Sequence, residues 1–150
     1  MERFESLKLK NQLCFPLYAV SKEIVKRYRP LLETLDLTYT QYIVMMVLWE
    51  KESSTVKDLG EKLFLDSGTL TPVLKSLEKK GFVRRERDRS DERVVNVFIT
   101  DEGMNLRQKA VSVPPLIAQC ISLTAEEAME LYRVLYKLIG ELYGRGNYQE

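Results

Sequence analysis

Two cysteines, Cys14 and Cys120, are the residues of this chain best suited to chemistry. The 150 residues contain no histidine, which excludes His-ligated metal sites, Ser-His-Asp or Cys-His catalysis, and a histidine pH switch. Two cysteines are also too few for a zinc site or a framework of disulfides. Any chemistry must therefore rest on a thiol, a carboxylate or a hydroxyl, and we expect neither a metal nor another cofactor.

The residues around Cys14 favour a reactive thiol. Three lysines lie within eight residues of it, and Tyr18 follows one helical turn later. A helix that begins near Pro16, which has no amide hydrogen, would place Cys14 at the positive end of the helix dipole, where the thiolate is favoured. The alternative for both cysteines is a small buried hydrophobe, the common role of a lone cysteine in a cytosolic chain.

A second group of residues suits nucleic-acid binding. The segment from Lys75 to Arg93 holds eight basic and five acidic residues, a balance of +3 in a chain of net charge +1. Before it, residues 66–71 offer small hydroxyl side chains at the start of a predicted helix, where phosphates and base edges are readily bonded. Arg84, Arg85 and Arg87 lie at the base of a predicted hairpin, where they could straddle phosphates or enter a minor groove. The alternative is an ordinary helix cap beside a solvated charged face.

The composition is that of one globular domain. Hydrophobic residues make up 45% of the chain and charged residues 30%, which provides a core and argues against a disordered tail. No apolar run approaches the roughly 18 residues of a membrane span, and the first residues lack a signal-peptide core. We therefore expect a cytoplasmic protein without a membrane partner.

The hydrophobic pattern predicts a mainly helical first half. Apolar residues spaced by three and four predict a long helix over about 8–28, and the nearly continuous apolar run 40–49 predicts a buried one. A short helix over 56–64 and a second that ends at Gly81 come next. The start of that second helix stays open, because Thr71 and Pro72 also have the pattern of an N-cap and first turn.

The second half begins with a hairpin and ends with helices. Stretches 82–87 and 93–99 are prone to form strands and flank a polar turn. A helix follows from Thr100, Pro114 and Pro115 bend or interrupt it, and the last helix carries leucines in a heptad seam (Leu131, Leu135, Leu138, Leu142). The apolar stripes of the two terminal helices either pack on each other or form the interface of a symmetric dimer.

These residues resemble the MarR family of winged-helix repressors, over nearly the whole chain. The family-wide mark is D-x-R…LT, here Asp91-Glu92-Arg93 through Ile99-Thr100. Within the family the chain is similar to the organic-hydroperoxide sensors, the OhrR type. The supporting strings are NQLCFPLY (11–18), LDLTYTQYIVMMVLWE (35–50), VKDLGEKLFLDSGTLTPVLKSLEKKG (56–81) and SDERVVNVFIT (90–100).

The resemblance implies a fold that is mainly α with a small β-hairpin wing, in a single domain over 1–150 that forms a homodimer. It implies dimerisation helices at about 8–34 and 101–145, and a winged helix-turn-helix lobe at about 40–99. A recognition helix at about Ser67 to Lys80 would enter the major groove of double-stranded operator DNA.

The resemblance also implies roles for individual residues. Cys14 matches the peroxidatic cysteine and Cys120 the resolving cysteine of two-cysteine members. Tyr28 and Tyr39 match tyrosines that reach a thiolate of the partner subunit, and Tyr18 matches a third nearby. Asp91 and Arg93 match the pair that braces the wing, and the expected DNA contacts are Ser67, Thr69, Thr71, Lys75, Arg85 and Arg87. Pro16 departs from the family pattern and is a candidate for distorting the helix beside Cys14.

The implied function is a repressor that an organic hydroperoxide releases from DNA by oxidising Cys14 to a sulfenic acid. A disulfide with Cys120 of the partner subunit, or with a small thiol, would follow. One alternative is a repressor released by a reversible apolar ligand, and another is a global redox or virulence regulator. An enzyme, such as a thiol peroxidase, is not expected, because no recognisable peroxidase motif accompanies Cys14.

Overall fold

The computed structural model describes residues 4–144 and has the predicted fold class, mainly helical with a small β wing. Two short 3-10 turns, Glu5–Leu7 and Leu9–Asn11, precede the first α-helix. The elements then run α1 Cys14–Glu33, α2 Tyr39–Lys51, β1 Ser53–Thr55, α3 Val56–Leu63, α4 Ser67–Lys79, β2 Val83–Arg87, β3 Val95–Ile99, α5 Asp101–Ala110, α6 Val113–Cys120 and α7 Ala125–Tyr143.

One helix boundary differs from the expected one, whereas the interruption expected at Pro114 and Pro115 is present. The first α-helix begins at Cys14 rather than near residue 8, because the preceding residues form only 3-10 turns. Pro114 and Pro115 divide the helical stretch after Thr100, since both lie in the first turn of α6, where their missing amide hydrogens cost nothing. The end of the predicted dimerisation segment, residue 145, lies outside the described residues.

The wing is a three-stranded antiparallel sheet rather than a lone hairpin. The strand order is β1-β3-β2, with Ser54 and Arg85 both opposite Val97 of the central strand. Strand β1 was not predicted, since its three polar residues carry no hydrophobic alternation. β1 connects α2 to α3, so the sheet ties the wing to the helix-turn-helix.

Helix α2 is the centre of the core. A capping box between Thr38 and Gln41 starts it, and seven of its thirteen residues are buried. The Trp49 indole N–H donates to the Gly103 carbonyl at 2.8 Å, which fastens α2 to α5. The core therefore lies where the buried helix was expected.

Gln41, which is 4% exposed, links α2 to α4. Its Nε2 donates to the Ser76 hydroxyl of α4 at 2.9 Å, and its Oε1 accepts from Lys80 Nζ at 3.1 Å. Lys80 also reaches the Asp36 carboxylate at 3.3 Å, in the turn after α1. These bonds hold the C-terminal half of α4 against α2 and against the turn that follows α1.

Gly103 is required at its position by a close approach of two backbones. A Cβ there would lie 2.1 Å from the Phe82 carbonyl oxygen. We expect Gly103→Ala to lower the free energy of unfolding by roughly 1–3 kcal/mol, because the backbone must shift to admit the methyl group. Urea denaturation at one protein concentration measures the effect.

Gly140→Ala is the matched control for that substitution. A Cβ at Gly140 meets nothing within 4 Å, so alanine is expected to raise the free energy of unfolding by about 0.5–1 kcal/mol through helix propensity. Equal effects of the two substitutions would contradict the steric explanation.

The terminal helices leave their apolar faces uncovered in this chain. Helix α7 buries none of its residues, and Leu32 alone is buried within α1. Several large apolar side chains on these helices are exposed: Phe15, Leu17, Val20, Val25, Leu131, Val134, Leu138 and Leu142. Of the two arrangements left open by the sequence, mutual packing within one chain is therefore not the one adopted.

Candidate redox centre and nucleic-acid interface

Cys14 is the first residue of α1 and is exposed. The preceding Leu13 makes no side-chain cap, so the first backbone amides of α1 receive no side-chain acceptor from it. The free thiol of Cys14 is open to an oxidant from solvent. Pro16 is the third helical residue, where its missing amide hydrogen removes no helical bond. Helix α1 runs without interruption past Pro16 to Glu33, so this proline does not break the helix. Its effect on the site at Cys14 stays a prediction.

The surface around Cys14 is apolar and open. Leu13 is 85% exposed, and Phe15 and Leu17 are also exposed. Tyr18, one turn after Cys14, is exposed, and Lys22 Nζ lies 5.0 Å from the centre of its ring. Within one chain, the thiol thus lies in an uncovered hydrophobic surface.

Tyr28 and Tyr39 lie far from Cys14 of the same chain. Tyr28 follows Cys14 by 14 residues in one helix, which is about 21 Å along the axis at 1.5 Å per residue. The Tyr28 and Tyr39 ring centroids are 5.0 Å apart, and the Tyr42 ring lies 5.9 Å from that of Tyr28. Tyr42, buried on α2, is a member of this cluster that the sequence analysis missed.

The tyrosine cluster keeps its hydroxyls protonated. Burial, as the main cause, raises the pKa of Tyr28, Tyr39 and Tyr42 above the usual value of 10.0, and the neighbouring tyrosines add to it at Tyr28 and Tyr42. A protonated phenol donates a hydrogen bond, so the cluster is suited to hold an anion such as a thiolate.

Cys120 is the last residue of α6 and is exposed with a free thiol. Helix α6 packs against α1. Its buried residues, Val113 and Ile117, join the same core as Leu32 of α1. A displacement of either cysteine would therefore shift one of two helices that are packed against each other.

The recognition helix begins at Ser67, which resolves the question left open by Pro72. The Asp66 carboxylate accepts the Thr69 amide at 2.7 Å and caps α4. Pro72 lies inside the helix. Ser67 and Thr69 are exposed at its start, whereas Thr71 donates its hydroxyl to the Ser67 carbonyl at 2.7 Å.

A groove of about 1550 Å³ runs between α3, the start of α4 and the wing. It brings together most of the predicted DNA-contact and wing residues: Ser67, Thr71, Lys75, Arg85, Arg87, Asp91 and Arg93. Thr69 is outside its lining. Phe64 of the helix-turn-helix corner and Tyr143 of α7 also line it, with ring centroids 4.1 Å apart.

Arg85 connects the wing to the recognition helix. Its Nη2 and Nε donate to one oxygen of Glu78 at 2.9 and 3.2 Å, and its backbone N–H donates to the other at 3.0 Å. These hydrogen bonds lower the pKa of Glu78 below its usual 4.5. Arg85 was predicted as a DNA contact, whereas its guanidinium is bound to Glu78 in the chain. No sequence pattern indicated that Glu78 would pair with it.

The wing tip is organised by Asp88, which the sequence analysis did not select. Its carboxylate accepts the Ser90 hydroxyl and the amides of Ser90 and Asp91, and the Asn96 side chain at 3.3 Å. These bonds hold the pKa of Asp88 at about 2. Next to it, Arg93 forms a two-bond pair with Asp91 at 3.0 and 3.1 Å.

A family model for the SarA/Rot transcriptional regulators matches residues 22–110. The chain is 46% identical to the organic hydroperoxide resistance transcriptional regulator of Bacillus subtilis, over 94% of this chain and 96% of that protein. The chain belongs to the SarA/Rot family of winged-helix regulators.

Solved structures place this SarA/Rot regulator among MarR-type proteins, as its sequence predicted. Reduced AbfR bound to DNA, a protein of Staphylococcus epidermidis, is 38% identical, with a TM-score of 0.78 over 95% of this chain and 96% of that one. Disulfide-formed AbfR has a TM-score of 0.62 and 39% identity, over 90% of this chain and 95% of that one. A MarR variant of E. coli complexed with operator DNA has a TM-score of 0.78 and 27% identity, over 93% of this chain and 99% of that one.

Among residues 4–144 of this regulator, no helix is long and apolar enough to cross a membrane. The same residues contain no cluster of three or more potential metal ligands.

Replacing Asp88 tests whether the shape of the wing tip matters for DNA binding. Asp88→Ala removes the shared acceptor and is expected to weaken binding to a selected DNA duplex by roughly threefold to tenfold. The melting temperature should fall slightly, because the hydrogen bonds that lower the pKa of Asp88 also stabilise the folded state. The depressed pKa means that Asp88 stays charged down to about pH 2, so the tip keeps its shape at mildly acidic pH. Fluorescence anisotropy measures the affinity, with Glu92→Ala as the control.

Proposed function

We propose that this SarA/Rot regulator is a homodimeric transcriptional repressor that organic hydroperoxides release from double-stranded operator DNA. The observation that carries the proposal is Cys14 at the uncapped, exposed start of α1, in a chain 46% identical to a regulator of organic hydroperoxide resistance. The named relatives are transcriptional regulators, so a catalytic turnover of peroxide is not part of the proposal.

The first chemical step is oxidation of Cys14. The thiolate attacks the terminal peroxide oxygen and breaks the O–O bond, which gives a sulfenic acid and the alkoxide of the hydroperoxide. A proton from solvent converts the alkoxide to the alcohol. The cysteine loses two electrons, and the hydroperoxide gains them.

The protonated tyrosines would support the thiolate across a dimer. Tyr28 and Tyr39 are too far from Cys14 of their own chain, and their raised pKa values keep them donors. In a homodimer that covers the exposed faces of α1 and α7, they reach the partner's Cys14, whereas Tyr18 lies one turn from Cys14 in the same helix. The apolar surroundings suit an organic rather than an inorganic peroxide.

The second step joins the sulfenic acid to a thiol. Cys120 of the partner subunit, or a small thiol, attacks the sulfenic sulfur, forms a disulfide and releases water. Because Cys120 ends α6, which packs on α1, the new bond displaces helices of both subunits. The relative AbfR has been solved both as a reduced protein on DNA and in a disulfide-formed state.

DNA binding is assigned to α4 and the wing. Ser67, Thr69 and Lys75 present exposed polar or basic groups, and Arg87 lines the groove beside them. Thr71 contributes mainly its methyl group, because its hydroxyl is bonded within the helix. Arg85 and the Asp91–Arg93 pair hold the wing in position.

One experiment on the wild-type protein tests the whole proposal. A duplex selected from a random library is titrated, and an organic hydroperoxide is added in equal molar amount while binding and covalent state are followed together. Loss of binding with a covalent dimer on a non-reducing gel supports the Cys14–Cys120 pairing. Loss without a covalent dimer supports a sulfenic acid or a mixed disulfide, and unchanged binding would contradict peroxide sensing.

A further inference from the structure

The recognition helix contains an interior proline on its solvent-facing side. Pro72 is the sixth residue of α4 and is exposed, and Gly68 lies one turn before it and is also exposed. Because proline has no amide hydrogen, the helical bond that the Gly68 carbonyl would accept from residue 72 is missing. The outer face of α4 thus carries an acceptor without its helical donor and an apolar ring beside it.

The neighbouring polar groups are already engaged within the helix start. The Thr71 hydroxyl donates to the Ser67 carbonyl, and the Thr69 amide donates to the Asp66 carboxylate. Apart from its chain neighbours and the nearby backbone of its own helix, a Cβ added at Gly68 would meet only Asp66 Oδ1, at 3.2 Å. No other side chain of this protein therefore covers the Cβ side of Gly68, which is exposed.

We propose that the Gly68 carbonyl and the Pro72 ring together read one A·T pair of the operator. A carbonyl accepts a hydrogen bond from an exocyclic amine, which adenine and cytosine present in the major groove. The Pro72 ring favours contact with the thymine methyl group, which a G·C pair lacks. An A·T pair presents both features side by side. This inference rests on the proposed function, since it requires α4 to enter the groove.

The first test compares sequence preference between variants of the full-length protein. Pro72→Ala restores an amide hydrogen that bonds Gly68, so the melting temperature is expected to rise while preference at one A·T position falls from about tenfold to below about twofold. Pro30→Ala, at an exposed proline inside α1, is the matched control. It should raise the melting temperature in the same way and leave sequence preference unchanged.

The second test changes atoms of the DNA and leaves the protein as it is. At the selected pair, uracil in place of thymine removes the methyl group, and purine in place of adenine removes the amine. Each change is expected to weaken wild-type binding by roughly threefold to tenfold. The affinity of Pro72→Ala should be the same for both analogues as for the unmodified duplex. The salt dependence of its binding should equal that of the wild type, because the phosphate contacts remain.

The outcomes separate this inference from the proposed function. If the wild-type protein enriches no sequence from a random duplex library, operator binding itself fails and the inference falls with it. If a sequence is enriched but Pro72→Ala keeps the wild-type preference at every position and both base analogues bind normally, the reading by Gly68 and Pro72 is wrong while the repressor function stands.

Discussion

Cys14→Ser is expected to bind operator DNA as the wild type does and to remain bound when organic hydroperoxide is added. Serine preserves the size of the side chain at the start of α1, so affinity should change by less than about twofold, as for most surface substitutions. The hydroxyl is not oxidised by peroxide, so the wild-type loss of roughly 10- to 100-fold in affinity should disappear. Fluorescence anisotropy before and after peroxide measures both quantities.

Cys120→Ser is the matched control for the first prediction. It removes the other exposed thiol of the chain and leaves Cys14 available for oxidation. The covalent dimer is expected to be absent. Peroxide should still oxidise Cys14 to a sulfenic acid or a small-thiol adduct and thereby weaken DNA binding. Release of Cys14→Ser by peroxide as readily as the wild type would disprove the thiol switch and favour a reversible apolar ligand.

Leu138→Glu is expected to separate the dimer and, with it, to abolish tight operator binding. Leu138 lies in the heptad seam of α7, a helix that buries none of its residues within the chain. An unpaired carboxylate buried in the interface costs about 3–5 kcal/mol, which raises the dimer dissociation constant by more than about 100-fold. Analytical ultracentrifugation measures assembly, and anisotropy on a two-half-site duplex measures binding.

Lys137→Glu provides the control on the neighbouring position. Residue 137 points about 100° away from Leu138 around the helix, outside the leucine seam. The Lys137→Glu variant places the same side chain in the same helix as Leu138→Glu. Any effect of glutamate on helix propensity should therefore be similar in the two variants. A dimer that survives Leu138→Glu would show that α7 does not form the interface.

The resemblance assigns Tyr28 and Tyr39 to a site that a single chain does not form. Tyr28 and Tyr39 were matched to a thiolate site from sequence, yet in the chain they form a cluster with Tyr42, well away from Cys14. Sequence patterns report local periodicity, whereas a site shared between two subunits depends on an interface that one chain does not contain. Their roles therefore stay predictions that the dimer must test.

Local sequence rules determined the order and type of most elements. The apolar run 40–49 identified the buried α2, Gly81 the end of α4, and the alternation before Thr100 the last strand of the wing. These features follow from side-chain periodicity and capping, which act over a few residues and are legible in the chain itself. The same reasoning found Cys14 near a helix start.

The tertiary structure alone decided how these elements are fastened together. It paired Arg85 with Glu78, placed Gln41 between α2 and α4, and added β1 to the wing. It also settled the start of α4, since the Asp66 cap prevails over the local signal of Pro72. Each of these depends on contacts between residues distant in sequence, or on competition between two local signals, and the free energy of the whole fold selects among them.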